Sequence, residues 1–184
     1  MRKALELDPL STRIRSFAGV TFTLARRYDE ALAQYQEVDR LDPNFALNHE
    51  RMAGLYATLA KYEEAAAEET KARLLSGEKR EDVVAKMKKL RGAAAAKGGR
   101  GYWEIELEFA QGRQNPPEAD GDFYGLAHIY SMLGDKDQAL ANLEKAYSER
   151  DEQMTNLAVD PDFNSLRSDP RFRDMEHQIG ILSQ

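Results

Sequence analysis

The chain contains no cysteine. Disulfide staples, thiolate nucleophiles and cysteine-ligated zinc are therefore excluded together. Long apolar runs are missing too. The longest, Ala93 to Ala96, is far short of a membrane span, and the opening MRKALELDP has no signal-like apolar region. The expectation is a soluble protein whose compartment is the cytoplasm. Positive charge is not in excess: 26 basic residues stand against 32 acidic ones, net -6, with both signs interspersed. Such a balance gives no electrostatic footprint for a phosphate backbone, so neither nucleic acid nor membrane is an expected partner.

Catalytic signatures are absent as well. There is no HExxH, no GxSxG and no GxxxxGK[ST], and His49, His128 and His177 stand isolated. No motif supplies a nucleophile, a base, a metal site or a cofactor site, so the expectation is a protein that is not an enzyme and carries no cofactor and no metal. Gly98 to Gly101 resembles an anion nest in composition, but no strand precedes it and no lysine-serine pair follows; it reads as a helix stop. Asp120, Asp122, Asp135 and Asp137 lack the twelve-residue calcium loop with its closing glutamate and read as helix caps or flanks. Trp103, the single tryptophan, reads as core.

What the chain does have is a repeat. Leu7-Asp8-Pro9 recurs as Leu41-Asp42-Pro43, a shift of 34 that also maps Phe22 onto Tyr56, Tyr28 onto Tyr62, Glu30 onto Glu64 and Ala31 onto Ala65. Gly19 maps onto Ala53 and Val38 onto Ala72. Small residues let paired helices approach closely, aromatics fill the space between them, and proline stops the second helix. This period and these residue types resemble the tetratricopeptide repeat. A third copy runs through Phe123, Leu126, Ala127, Tyr130, Leu133, Gly134, Ala139, Leu143 and Ala146, and its LGDKDQAL is similar to the family's inter-helix turn. It lies 74 residues after the second, as Ala53 to Ala127 shows, so an irregular repeat of about 40 residues lies between.

In that middle segment Val83, Val84, Met87 and Leu90 follow helical spacing. Trp103, Ile105, Leu107 and Phe109 instead alternate with glutamates, which in isolation is a strand signal. A lone strand would leave its backbone groups without partners, so helix is expected there. At the end, Asp160-Pro161 and Asp169-Pro170 each offer an aspartate cap followed by proline in the first helical turn, and two short helices are expected to cover the open face with Phe163, Leu166, Phe172, Met175 and Ile179.

The resemblance implies an all-α fold: a right-handed superhelical solenoid of antiparallel helix pairs. Residues 1–11 are read as the end of a preceding repeat, 12–45 and 46–79 as repeats, 80–119 as the irregular repeat, 120–153 as a repeat and 154–184 as capping helices. The last third also resembles C-terminal repeat regions of bacterial multidomain signalling proteins, including winged-helix regulators and Ser/Thr kinases.

In the family the first helix of each pair lines a concave groove that faces a bound peptide. The resemblance thus implies a partner surface of Arg13, Ser16, Val20, Thr23 and Leu24, then Leu47, Glu50, Gly54, Ala57 and Thr58, then Tyr124, His128, Ser131 and Met132. The lysines and asparagines with which chaperone-binding members clamp a terminal carboxylate are not reproduced. Two functions follow as expectations: a module that binds a protein or peptide, or a regulatory tail acting on an upstream kinase, cyclase or DNA-binding domain. Finally, Ile14, Phe17, Ala18, Val20, Phe22, Leu24 and Ala25 place apolar groups around most of the first full helix. A patch of Ile14, Phe17, Val20 and Leu24 is expected to engage a peptide or a second copy as a two-fold homodimer.

Overall fold

A computed structural model describes residues 3, 8, 10–113 and 122–180. Among them are nine α-helices, two 3-10 turns and no strand. The helices are α1 (Thr12–Leu24), α2 (Tyr28–Leu41), α3 (Ala46–Thr58), α4 (Tyr62–Leu75), α5 (Arg80–Lys97), α6 (Gly99–Arg113), α7 (Phe123–Leu133), α8 (Lys136–Ser148) and α9 (Pro170–Gln178). The 3-10 turns are Glu152–Asn156 and Pro161–Phe163. Two compact units divide the chain, residues 1–99 and 100–184. Most of the 1–11 segment, Asp120 with its neighbours, and the last four residues lie outside the described residues. None of the helices among the described residues is long and apolar enough to cross a membrane.

In the first unit α1 packs on α2, α2 on α3, α3 on α4 and α4 on α5. The leading helices α1, α3 and α5 begin at Thr12, Ala46 and Arg80, a constant step of 34 residues. Gly19 on α1 exists to admit Tyr35: a Cβ there would overlap the tyrosine ring. Tyr35 in turn packs with Ala31, Met52 and Leu55. The leading helices α1 and α3 reverse into their partners through one residue at positive φ, Arg26 (φ 59) after α1 and Ala60 (φ 58) after α3. The amides of Arg27 and Lys61 then reach back to the carbonyls of Phe22 and Tyr56, both at 2.8 Å, closing the helix ends.

Several polar groups buried between these helices are matched, although Asn48 Oδ1 is left without a hydrogen bond. Asn48 Nδ2 donates to the Tyr35 carbonyl at 3.0 Å, tying α3 to α2. His49 is fully buried, with Nδ1 2.7 Å from Glu68 Oε2 on α4 and Nε2 3.0 Å from the Pro43 carbonyl. The joint between α4 and α5 combines buried Val83, Met87 and Leu90 with an ion network. Arg73 Nε donates to Glu69 at 2.7 Å and its Nη1 to Glu78 at 2.9 Å, while Lys86 donates to Glu78 at 2.8 Å. Burial opposes the charge on Arg73, but Glu69 and Glu78 outweigh it and hold the guanidinium more firmly protonated than usual.

In the second unit α7 and α8 form the pair, and here the left-handed turn residue is a glycine, Gly134 (φ 82). Asp122 caps α7 by accepting from the Gly125 amide, and Asp135 caps α8 by accepting from the Gln138 amide. The core joins Ala127, Ala139, Leu140, Leu143 and Ala146 to Phe163, Leu166, Phe172 and Met175, with Ile179 packed at its edge. The two Asp-Pro signals act as caps: Asp160 accepts from the Asp162 amide and Asp169 from the Arg171 amide. Only the second opens an α-helix, because Pro161–Phe163 stops after a single 3-10 turn, and a further 3-10 turn at Glu152–Asn156 precedes it.

The Trp103 to Phe109 stretch is helical, inside α6. The alternation with glutamate is compatible with helix because burial falls on Tyr102, Trp103 and Ala110, while Ile105, Leu107 and Phe109 stay partly exposed. The break between α5 and α6 lies at Gly98, whose φ 61 and ψ -143 suit no other residue type; Gly99 and Gly101 already belong to α6.

Candidate functional site

The leading helices distribute the expected partner-facing residues unevenly. On α1, Arg13 is exposed, and Val20, Thr23 and Leu24 are half-buried. On α3, Leu47, Glu50 and Gly54 are exposed, and a Cβ at Gly54 would meet nothing within 4 Å. The hydroxyls of Thr23 and Thr58 turn inward onto their own helices, donating to the carbonyls of Gly19 and Gly54, each at 3.0 Å. Ala57 is buried. Ser16 is completely buried, and Arg51 Nη1 of α3 donates to its hydroxyl at 2.8 Å.

In the second unit the expectation of an open surface is corrected. Tyr124 is only 6 % exposed and lies within the core. Its hydroxyl donates to Asp160 Oδ2 at 2.8 Å, and its ring meets Phe163 edge to face at 5.3 Å. Ser131 is buried too; its hydroxyl donates to the Asp162 carbonyl at 2.7 Å and lies 3.2 Å from the Ser165 hydroxyl. His128 is half-buried, with its ring edge-on to Trp103 at 5.0 Å and its Nε2 3.2 Å from Asp162 Oδ2, an ion-pair approach that lacks hydrogen-bond alignment. Met132 is half-buried.

The physical reason is the same in both units. Ser16 and Tyr124 occupy equivalent places on their helices, and each is sealed by the element that arrives roughly one repeat later, Arg51 in one case and Asp160 in the other. At Glu50, the same place on α3, the side chain is exposed.

The surface left open is therefore on the first unit: Arg13, Val20 and Leu24 of α1, and Leu47, Glu50 and Gly54 of α3. Arg51, partly buried beside it, was not among the expected residues. It falls one residue away from the groove pattern, and its only sequence signal is that it follows Ser16 by 35 residues. The basic residues of α5 contribute unequally. Lys86 is engaged with Glu78 and Arg91 approaches Glu63 at 3.1 Å, whereas Lys88 is exposed.

Among the described residues no group of three His, Asp or Glu side chains is placed to hold a metal ion. Shape, apolar contact and single charges are what this surface offers a ligand. The tetratricopeptide-repeat family model matches residues 123–152, the α7–α8 pair with the turn that follows it. No curated protein and no solved structure matches the chain.

Proposed function

From an all-helical chain that carries a tetratricopeptide repeat, we propose that the protein is a binding module whose first unit receives a segment of a partner protein on the open face of α1 and α3. The observation that carries this reading is the contrast between the two units. The leading helix α7 has its outer positions covered by residues 160–165 of the same chain. On α3 the counterpart of Tyr124 is Glu50, which is open with Leu47 and Gly54 on the same face, while Ala57, the counterpart of Ser131, is buried.

The mechanism is recognition without covalent chemistry. A rigid pair of helices presents preformed contacts, so a bound segment bears most of the ordering cost. Leu47, Val20 and Leu24 offer apolar contact, Arg13 and Glu50 fix orientation by charge, and the missing side chain at Gly54 leaves room for a large side chain of the ligand.

A photoreactive residue at position 47 of the intact chain tests the reading, with the same residue at exposed Val159 of the second unit as reference. The expected result is a discrete adduct from position 47 that disappears when Glu50→Lys and Gly54→Arg are added, with far-ultraviolet circular dichroism unchanged. Labelling no different from that at position 159 would set the reading aside.

A further inference from the structure

The buried ring of His49 meets only acceptors. It is 1 % exposed, and both of its nitrogens point at oxygen atoms outside its own helix. Nδ1 lies 2.7 Å from Glu68 Oε2 of α4. Nε2 lies 3.0 Å from the Pro43 carbonyl and 3.5 Å from Asp39 Oδ1 of α2. A carbonyl oxygen cannot donate, so Nε2 must carry a hydrogen. Glu68 Oε1 meanwhile accepts from Lys71 Nζ at 2.9 Å, and a carboxylate paired with an ammonium has no hydrogen to offer either, so Nδ1 needs one as well. Two donors on one imidazole make it an imidazolium. The observed contacts require the charged ring inside the first unit.

Its own helix does nothing to favour that charge. α3 starts at Phe45 with no side-chain cap and no acid in its first turn, and a cation there opposes the helix dipole. α1 and α7 are fastened at their starts by Ser11 and Asp122. In α3 the fastening is the His49 bond to the Pro43 carbonyl, which ties the turn after α2 to the helix. The charges facing the ring come from its neighbours: Asp39 of α2, and Glu68 of α4 with Lys71 beside it. Tyr56, two turns along α3, also lies in the field of Glu68, and Arg51, on the opposite side of α3, is engaged with Ser16 of α1.

Loss of one proton weighs unequally on the two nitrogens. A bare Nδ1 would turn a lone pair on a full carboxylate charge at 2.7 Å, whereas a bare Nε2 would face a carbonyl dipole and, farther off, Asp39. The neutral ring therefore keeps Glu68 and lets go of Pro43. We propose that His49 is a proton-operated latch on the start of α3: with two protons it holds both the Pro43 turn and α4, and with one it releases the turn alone. Leu47 and Glu50 flank His49 on α3, so the latch sets the start of the face assigned to a partner, but its operation does not depend on that face being occupied.

The test follows the ring nitrogens and the Asn44 amide of the isotope-labelled full chain by nuclear magnetic resonance as pH is raised. His49→Gln identifies the His49 signals, and His128 and His177 serve as the internal comparison. Nε2 is expected to lose its proton while Nδ1 keeps its own. The Asn44 amide, which shares a peptide group with the Pro43 carbonyl, is expected to shift along the same curve. Glu68→Gln replaces the carboxylate with an amide that can also donate. There the neutral ring accepts at Nδ1 and still donates at Nε2, so the proton is expected to leave Nδ1 and the Asn44 shift to vanish. Should Glu68→Gln fail to fold, the wild-type signals alone decide. A ring that keeps both protons until the chain unfolds, a single-proton ring at every pH, loss from Nδ1 in the wild type, or an Asn44 shift unchanged in Glu68→Gln would each overturn the proposal.

Discussion

The Tyr124 hydroxyl donates to Asp160 across 2.8 Å, although the two residues are 36 apart in the chain. In the first unit Arg51 donates to Ser16 across 2.8 Å at a separation of 35. The chemistry differs, with phenol to carboxylate in one and guanidinium to hydroxyl in the other, but the task is shared. Each bond fastens a leading helix to the element one repeat downstream.

That bond has a consequence at alkaline pH. Burial pushes the Tyr124 hydroxyl far above its ordinary value of 10.0, and the neighbouring Asp160 charge and hydrogen bond push further in the same direction. Burial also raises Tyr35, against smaller opposing effects of Thr23 and Arg51. Above the ordinary value the unfolded chain loses these protons while the folded chain keeps them. The stabilisation is therefore complete below that value and declines as pH rises beyond it. Melting temperature is expected to fall above about pH 10. Tyr124→Phe should flatten part of that decline while costing about 1–2 kcal/mol near neutrality. An alkaline limb identical in Tyr124→Phe and wild type, measured by thermal melts, would refute this assignment.

Gly19→Ala is expected to destabilise the first unit by about 1–3 kcal/mol, even though alanine is the better helix former, because its methyl group overlaps the Tyr35 ring. Pairing it with Tyr35→Leu should recover part of the loss. Denaturant titration of the two single variants and the double variant measures the coupling, and strict additivity would show that the overlap is not the cause.

Ala60 and Gly134 occupy equivalent left-handed positions, but only the second is a glycine, and it is followed by a capping aspartate where the first is followed by Lys61. Ala60→Gly is expected to stabilise by up to about 1 kcal/mol, since relief of backbone strain exceeds the added chain entropy. Lys61→Asp should add about 1 kcal/mol through a cap on α4 that is now missing. Both gains would appear as a higher denaturant midpoint at constant slope.

His49 holds α3 between the Pro43 carbonyl and Glu68 of α4. His49→Phe keeps the volume roughly constant but leaves the partly buried Glu68 carboxylate with only Lys71, and the Pro43 carbonyl unpaired, so a loss of about 1–3 kcal/mol is expected. Circular dichroism melts compared with those of His49→Gln, which retains a donor, check that the hydrogen bonds rather than packing carry the effect.

Locally encoded features were legible in the sequence: the 34-residue period from Leu7-Asp8-Pro9 to Leu41-Asp42-Pro43, the Gly134-Asp135 turn, and the Asp160 and Asp169 caps. Each is specified by a few adjacent residues whose backbone requirements are narrow. The helical state of Trp103 to Phe109 was reached only by elimination, because spacing by itself favours a strand. What the sequence did not disclose was the fate of Tyr124 and Ser131. Their places on the repeat imply a free face, and only the return of residues 160–165 over α7 removes it. Nothing near Tyr124 encodes that return. Arg51 escaped notice for the same reason, since its role depends on Ser16 of another helix.

The joints of this molecule obey different temperature and salt laws. The α4–α5 joint relies in part on Arg73, Glu78 and Lys86, whose outer members are about one-third exposed. The contact of α8 with the Phe163–Phe172 region is apolar at its core, with the exposed Arg171–Asp137 ion pair at its rim. Added salt screens the first and leaves the apolar core of the second intact. Cooling weakens the second, whose driving force fades as the entropic gain of releasing water shrinks, while heating lowers the desolvation cost carried by the first. Chilled and concentrated-salt solutions should therefore loosen different parts of the chain, the region around α9 in the cold and the α4–α5 joint in brine.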